Sequence, residues 1–157
     1  MPNFSEGYQL RKLLLGSQVI KASQALPQTA TANLYTVAGG SVLITSLLGL
    51  VSSVATGSTA TTLALGTAPT TGTASTTSIA TAVAITSLEI GSWVAPQSSS
   101  GKGGALVVGA NAGATLWLTV PFVVPAGTIT WTTSAGDTGQ MTWYLTYIPL
   151  DTGASVS

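Results

Sequence analysis

Cysteine and histidine are both absent from the 157 residues, and charge is nearly so: four Lys plus Arg against four Asp plus Glu amount to 5% of the chain and a net charge of zero. Without cysteine there is no disulfide framework and no thiol nucleophile. Losing histidine as well removes the Ser-His triad, the commonest general base and most zinc or transition-metal sites, so no cofactor is expected. Soluble proteins carry roughly 25% charged residues. Here no charge occurs between Lys21 and Glu89 or between Lys102 and Asp137, and Thr, Ser, Ala and Gly fill the space. A free monomer keeps a charged surface for solubility, so so neutral a chain is expected to be covered by other subunits. Zero net charge also lacks the basic footprint of a nucleic-acid binder.

Long apolar runs are missing too. The start, "MPNFSEGYQLRKLLLGSQVIK", has only Leu13 to Leu15 before Gly16, too little for a secretory signal, and no cleaved leader is expected. "SVLITSLLGLVSSVA" and "ALVVGANAGATLWLTVPFVVPAG" are broken by Gly, Ser, Thr or Pro and lack basic flanks, which argues against a membrane partner, although a small membrane protein is the competing reading. Length fits one domain able to bury a core without staples.

What is present from about Asn33 onward is a series of short β-branched and aromatic runs parted by Gly, Pro, Asn and Ser, the pattern of an all-β antiparallel sandwich or jelly-roll-like barrel. Residues 33–157 are read as this domain and residues 1–32 as an amino-terminal arm. The arm holds Arg11, Lys12 and Lys21 among four basic residues. Leu10, Leu13 and Leu14 have helical spacing, with Ser5 and Gly16 as caps, so a short helix is possible within it. Arg11 and Lys12 are candidates for gripping a neighbour; a frayed, solvated terminus is the alternative.

Successive side chains of a strand face opposite ways. In "TLWLTV", Leu116, Leu118 and Val120 form an aliphatic face and Trp117 points away among threonines; in "QMTWYLTYI", Met141, Trp143, Leu145 and Tyr147 form the core set and Tyr144 points out. Trp117 and Tyr144 are therefore interface candidates, with simple exposure on a sheet surface as the plainer reading. "SVLITSLLGLVSSV" is apolar on both parities, which suggests a strand buried on both faces or covered by a neighbour; a helix with Val42, Leu47, Leu48 and Val51 on one side competes. "GTAPTTGTASTT", from Gly66 to Thr77, reads as a long surface loop. Gly103 follows Lys102 where a phosphate loop needs Ser or Thr.

Asp-Thr-Gly occurs twice, at Asp137 and Asp151, and this triplet surrounds the paired carboxylates of aspartic proteases. Those carboxylates must share a proton, which demands proximity. The eleven residues between Gly139 and Asp151 read as one strand of roughly 35 Å, placing the two aspartates at opposite ends. A dimeric protease would need only one triplet, but just Thr152 to Ser157 follow Asp151, leaving no flap or substrate-binding strands. Two tight turns explain the triplets, Glu6 and Glu89 show no acid/base spacing, and no enzyme activity is expected.

Three stretches, "LYTVAGGSVLITSLLGLV", "LALGTAPTTGTASTT" and "GTITWTTSAGDTGQMTWYLTYIPLDTGASV", together resemble small structural proteins of tailed bacteriophage virions over Leu34 to Val156. The resemblance implies a β-rich, non-enzymatic virion component, assembled in the host cytoplasm. It points to a capsid decoration or cement protein that oligomerises, as a trimer, on the major capsid protein or other virion proteins and stabilises the head shell. A tail or fibre component that binds a host-surface glycan through Trp117 or Tyr144 is the alternative.

Overall fold

The computed structural model describes residues 16–55, 61–86, 88–97, 104–108 (backbone only) and 120–157. These residues are all-β, with no helix. Eleven strands follow in order: β1 Ser17–Ala25, β2 Thr31–Ala38, β3 Val42–Ser53, β4 Thr62–Pro69, β5 Ser75–Ala84, β6 Trp93–Pro96, β7 Gly104–Val108, β8 Phe122–Val124, β9 Gly127–Thr133, β10 Gln140–Pro149 and β11 Ser155–Val156. Among the described residues two antiparallel sheets pack against each other as a sandwich, and no closed barrel forms.

One sheet runs β1-β10-β3-β6 with β8 beside β3, and the other runs β5-β4-β9-β2-β11. They are joined on one side by β7, which pairs antiparallel with β6 and parallel with β5. The other side is open. There β1 and β2 face each other through side chains: the Tyr35 hydroxyl donates to the Val19 carbonyl at 3.4 Å, and the Lys21 ammonium lies 5.7 Å from the Tyr35 ring centroid.

The region expected as an arm is therefore corrected in its described part. Ser17–Ala25 is a strand of the sandwich, in register with β10 from Ser17↔Tyr147 to Ala25↔Gln140, and the boundary at residue 32 falls inside β2. The alternation Val19, Lys21 against Gln18, Ile20 lets one face of β1 meet the core edge and leaves Ile20 55% exposed on the other. The possible helix, with Arg11 and Lys12, lies outside the described residues.

Inward-facing side chains of both sheets make a single core. On β10, Met141, Trp143, Leu145 and Tyr147 are buried as their alternation predicts, and Ile129 and Trp131 on β9 face them. Trp131 and Trp143 meet edge to face, with ring centroids 5.9 Å apart and planes at 89°, a geometry worth about 0.5–1.5 kcal/mol beyond burial. Trp143 fits because its neighbour on β3 is Gly49: a Cβ there would stand 3.0 Å from the indole and 2.8 Å from the Met141 methyl. The bare strand backbone accommodates the large ring.

β3 resolves the doubly apolar run without burying both faces. Its pairing with β10 jumps from Ser46↔Thr146 to Ile44↔Tyr147, so Thr45 is an extra residue in a β-bulge. The inward set changes phase there, from Val42 and Ile44 to Leu47, Gly49 and Val51. Leu43, Leu48 and Leu50 are left half-buried on the outer side.

A second difference concerns Gly66 to Thr77, which is a hairpin rather than a long loop. β4 runs to Pro69, β5 begins at Ser75, and only residues 70–74 connect them. Irregular pairing explains why alternation fails to reveal it: register shifts occur between Leu63 and Leu65 and again between Leu65 and Thr67.

Burial pushes the Tyr35 phenol well above its ordinary value of 10.0, opposed in part by a hydrogen bond from the Lys21 backbone N–H. A raised pKa means that the folded chain holds the proton after the unfolded chain has released it. The stability from the neutral phenol is thus complete below pH 10 and declines as pH rises beyond it. Urea midpoints measured across that range are expected to fall for the wild type, and Tyr35→Phe is expected to remove this part of the fall.

Candidate functional site

Chemistry-bearing side chains are few among the described residues. The charged ones are Lys21, Glu89, Asp137 and Asp151, and no group of three or more His, Cys, Asp or Glu could hold a metal ion among them. The two Asp-Thr-Gly aspartates stand beyond opposite ends of the ten-residue β10, about 33 Å of extended chain. They form no dyad within the chain.

Each aspartate instead organises a turn. Asp151 is exposed; its Oδ2 accepts the Ser41 backbone N–H at 2.6 Å, and the Ala154 N–H donates to its carbonyl at 3.0 Å across Gly153, at φ +85°. Asp137 is buried. Its Oδ1 accepts the Gly139 N–H at 3.3 Å, an Asx turn, while its Oδ2 accepts the Thr61 hydroxyl at 3.1 Å. Gln28 Nε2 donates to the Asp137 carbonyl at 2.6 Å and to the Leu26 carbonyl at 2.9 Å, and the Thr133 hydroxyl donates to the Pro27 carbonyl. This network ties the β1–β2 connection to the loop entering β10. Beside it, a cavity of about 10 Å³ among Leu26, Val51, Ile85, Leu88 and Met141 has room for about one water, far less than a substrate.

The two broad outer faces differ in character. On the β9 sheet, cross-strand rows read Thr31–Thr132–Ala64, Asn33–Thr130–Gly66 and Thr36–Thr128–Ala68, and the Thr31 and Thr132 hydroxyls bond at 2.8 Å. This face is short side chains and hydroxyls, and its middle is covered in part by the chain itself: Thr130 and Ala64 are buried, and β5 lies against Gly66.

The outer face of the β10 sheet is apolar. Register places Ile20, Tyr144 and Leu48 in one row across β1, β10 and β3, then Thr142, Leu50 and Trp93 in the next across β10, β3 and β6. Tyr144 and Trp93 bridge the rows, with ring centroids 5.8 Å apart and planes tilted by 46°. Farther along, Ile148, Leu43 and Val123 form another row across β10, β3 and β8, and Val123 is 58% exposed. Thr146 and Ser46 lie between the apolar rows. Among the described residues no strand side chain of this face is charged: Lys21 belongs to the inward parity of β1, and Glu89, Asp137 and Asp151 lie outside the strands.

Tyr144 thus occupies the centre of an apolar face. Trp117, Arg11 and Lys12 lie outside the described residues. Trp93, which completes the aromatic pair, was not singled out from the sequence because β6 has only four residues and too little alternation to assign a parity. Comparison with family models, curated proteins and solved structures yields no match.

Proposed function

We propose that this protein is a structural subunit of a virion, a capsid decoration or cement protein whose task is contact rather than catalysis. One observation carries the reading: both broad faces of the sandwich are uncharged among the described residues, one apolar and one hydroxyl-rich. A freely soluble monomer gains from surface charge, whereas a subunit packed among neighbours gains from faces that leave no charge desolvated. The resemblance of Leu34 to Val156 to small virion proteins of tailed phages points the same way. The mechanism is mechanical: burial shared between subunits and the major capsid protein holds the shell against internal pressure. Contacts of this kind depend little on salt, because few ion pairs are available for screening.

The aromatic pair Trp93 and Tyr144 favours a second reading, a tail or fibre component that stacks a neutral host-surface sugar. The first reading is tested by adding purified protein to expanded shells that lack it and measuring the bound copies by sedimentation in low and high salt. Saturable binding that persists in high salt is expected. Absence of binding, with the protein monomeric at high concentration, would sink it.

A further inference from the structure

We infer that the outer face of the β10 sheet is the surface through which this chain pairs with a second copy of itself, like face against like face about a two-fold axis. The inference rests on the reading of the protein as an assembly subunit, takes a two-fold pair in place of the expected trimer, and assigns that contact to named rows of side chains.

Charge points to the occupant first. A face formed by Ile20, Tyr144, Leu48, Leu50 and Trp93, with Thr, Ser and the neutral Gln18 and Gln140 between or beside them, offers no counter-ion to a charged partner among the described residues. Any charge brought against it would be desolvated and unpaired. The matching face of another copy brings none.

Size is the second argument. Strands about 4.8 Å apart, with about eight residues each from β1, β10 and β3 and the fourth position shared by the four residues of β6 and the three of β8, at about 3.3 Å per residue, cover roughly 500 Å². Pairing two such faces buries roughly 1,000 Å² in all, which reaches the lower limit of a specific protein interface. Leu43, Ile148 and Val123 belong to this same patch, at the end where β8 lies beside β3.

Register supplies the third. A two-fold axis parallel to the strands lays the β1 edge of one copy over the β6 edge of the other, so the most exposed aliphatic of the central rows, Ile20 at 55%, meets the aromatic pair. Sheets packed face to face cross at about 30° with about 10 Å between them, room for one interdigitated layer of such side chains. Half-buried aromatic anchors at the centre of a patch are where binding energy concentrates.

The test compares sedimentation equilibrium of the full chain with Tyr144→Lys, Ile20→Lys and Thr36→Lys, the last on the opposite, hydroxyl-rich face. Near-ultraviolet circular dichroism from Trp131 and Trp143 reports whether each variant is folded, and exposed Ile20 provides the substitution safest for folding. The wild type is expected to form two-fold pairs. A lysine at Tyr144 or Ile20 is expected to weaken pairing by about 100-fold, since it buries an unpaired charge at the contact, while Thr36→Lys leaves pairing unchanged. Folded Tyr144→Lys and Ile20→Lys variants that pair as tightly as wild type would overturn the inference. So would dissociation caused by Thr36→Lys alone, or a monomeric wild type whose tryptophan fluorescence responds to a neutral glycan and loses that response in Trp93→Phe. Shell binding by a monomeric wild type overturns this face and leaves the assembly reading standing; loss of both pairing and shell binding overturns both.

Discussion

Trp143→Ala is expected to destabilise the chain by about 3–5 kcal/mol, the range for deleting a fully buried large aromatic. Trp143 is 0% exposed, abuts Gly49 on the adjacent strand and meets Trp131 edge to face across the sandwich. Its removal opens a cavity between the two sheets, where β3 and β9 are already held by other strands and cannot collapse inward. Domains of this size are stable by only about 5–15 kcal/mol, so the variant loses from about a fifth to all of its margin. Equilibrium urea unfolding measures this. Thr142→Ala, one residue away on the outer face, is expected to stay within about 0.5 kcal/mol of wild type. Equal effects at both positions would contradict the assignment of faces on β10.

Gly66→Ala is expected to be comparably severe although it adds only one methyl group. Its Cβ would lie 2.7 Å from the Thr76 Cα and closer still to the Ser75 carbonyl oxygen, both backbone atoms of β5. β4 cannot retreat, because its other edge is laddered to β9 through Gly66↔Thr130 and its neighbours. The expected cost is about 3 kcal/mol, at the upper end for overpacking, again read from urea unfolding. Gly49→Ala is the informative comparison. One of its close neighbours is the flexible tip of Met141, which can swing aside, so a smaller loss is expected there.

These two sites also show how far a sequence can be read. β10 and β9 were legible because long, regular alternation of large and small side chains survives into the structure, and Trp143 and Tyr144 fall on the sides their parity dictates. β3 was legible as a strand but not in its phase, since the Thr45 bulge leaves no mark in the order of apolar residues. The β4–β5 hairpin was hidden for a related reason. Thr, Ala, Ser and Gly suit loops and tightly packed strands alike, and only the approach of β5 to Gly66 shows which applies. β1 was obscured because its stabilisation is long-range: Ser17 pairs with Tyr147, at the far end of the chain. The candidate face was half legible for the same physical reason. Tyr144 lies on a long strand, whereas its partner Trp93 lies on a strand too short for parity to show.

The joining of the sheets by β7 gives the sandwich a bound spine and a fore-edge, like a book. Hydrogen bonds run without a break from β1 round the spine to β11, so the first and last described strands are the two covers' free edges. Tyr35 on β2, one strand in from β11, meets Val19 and Lys21 on β1 and acts as the clasp between the covers. Breathing of the fold accordingly begins at the fore-edge, where the ladders end, and reaches the spine last. A neighbour that holds the fore-edge shut would stiffen the whole volume without touching its core.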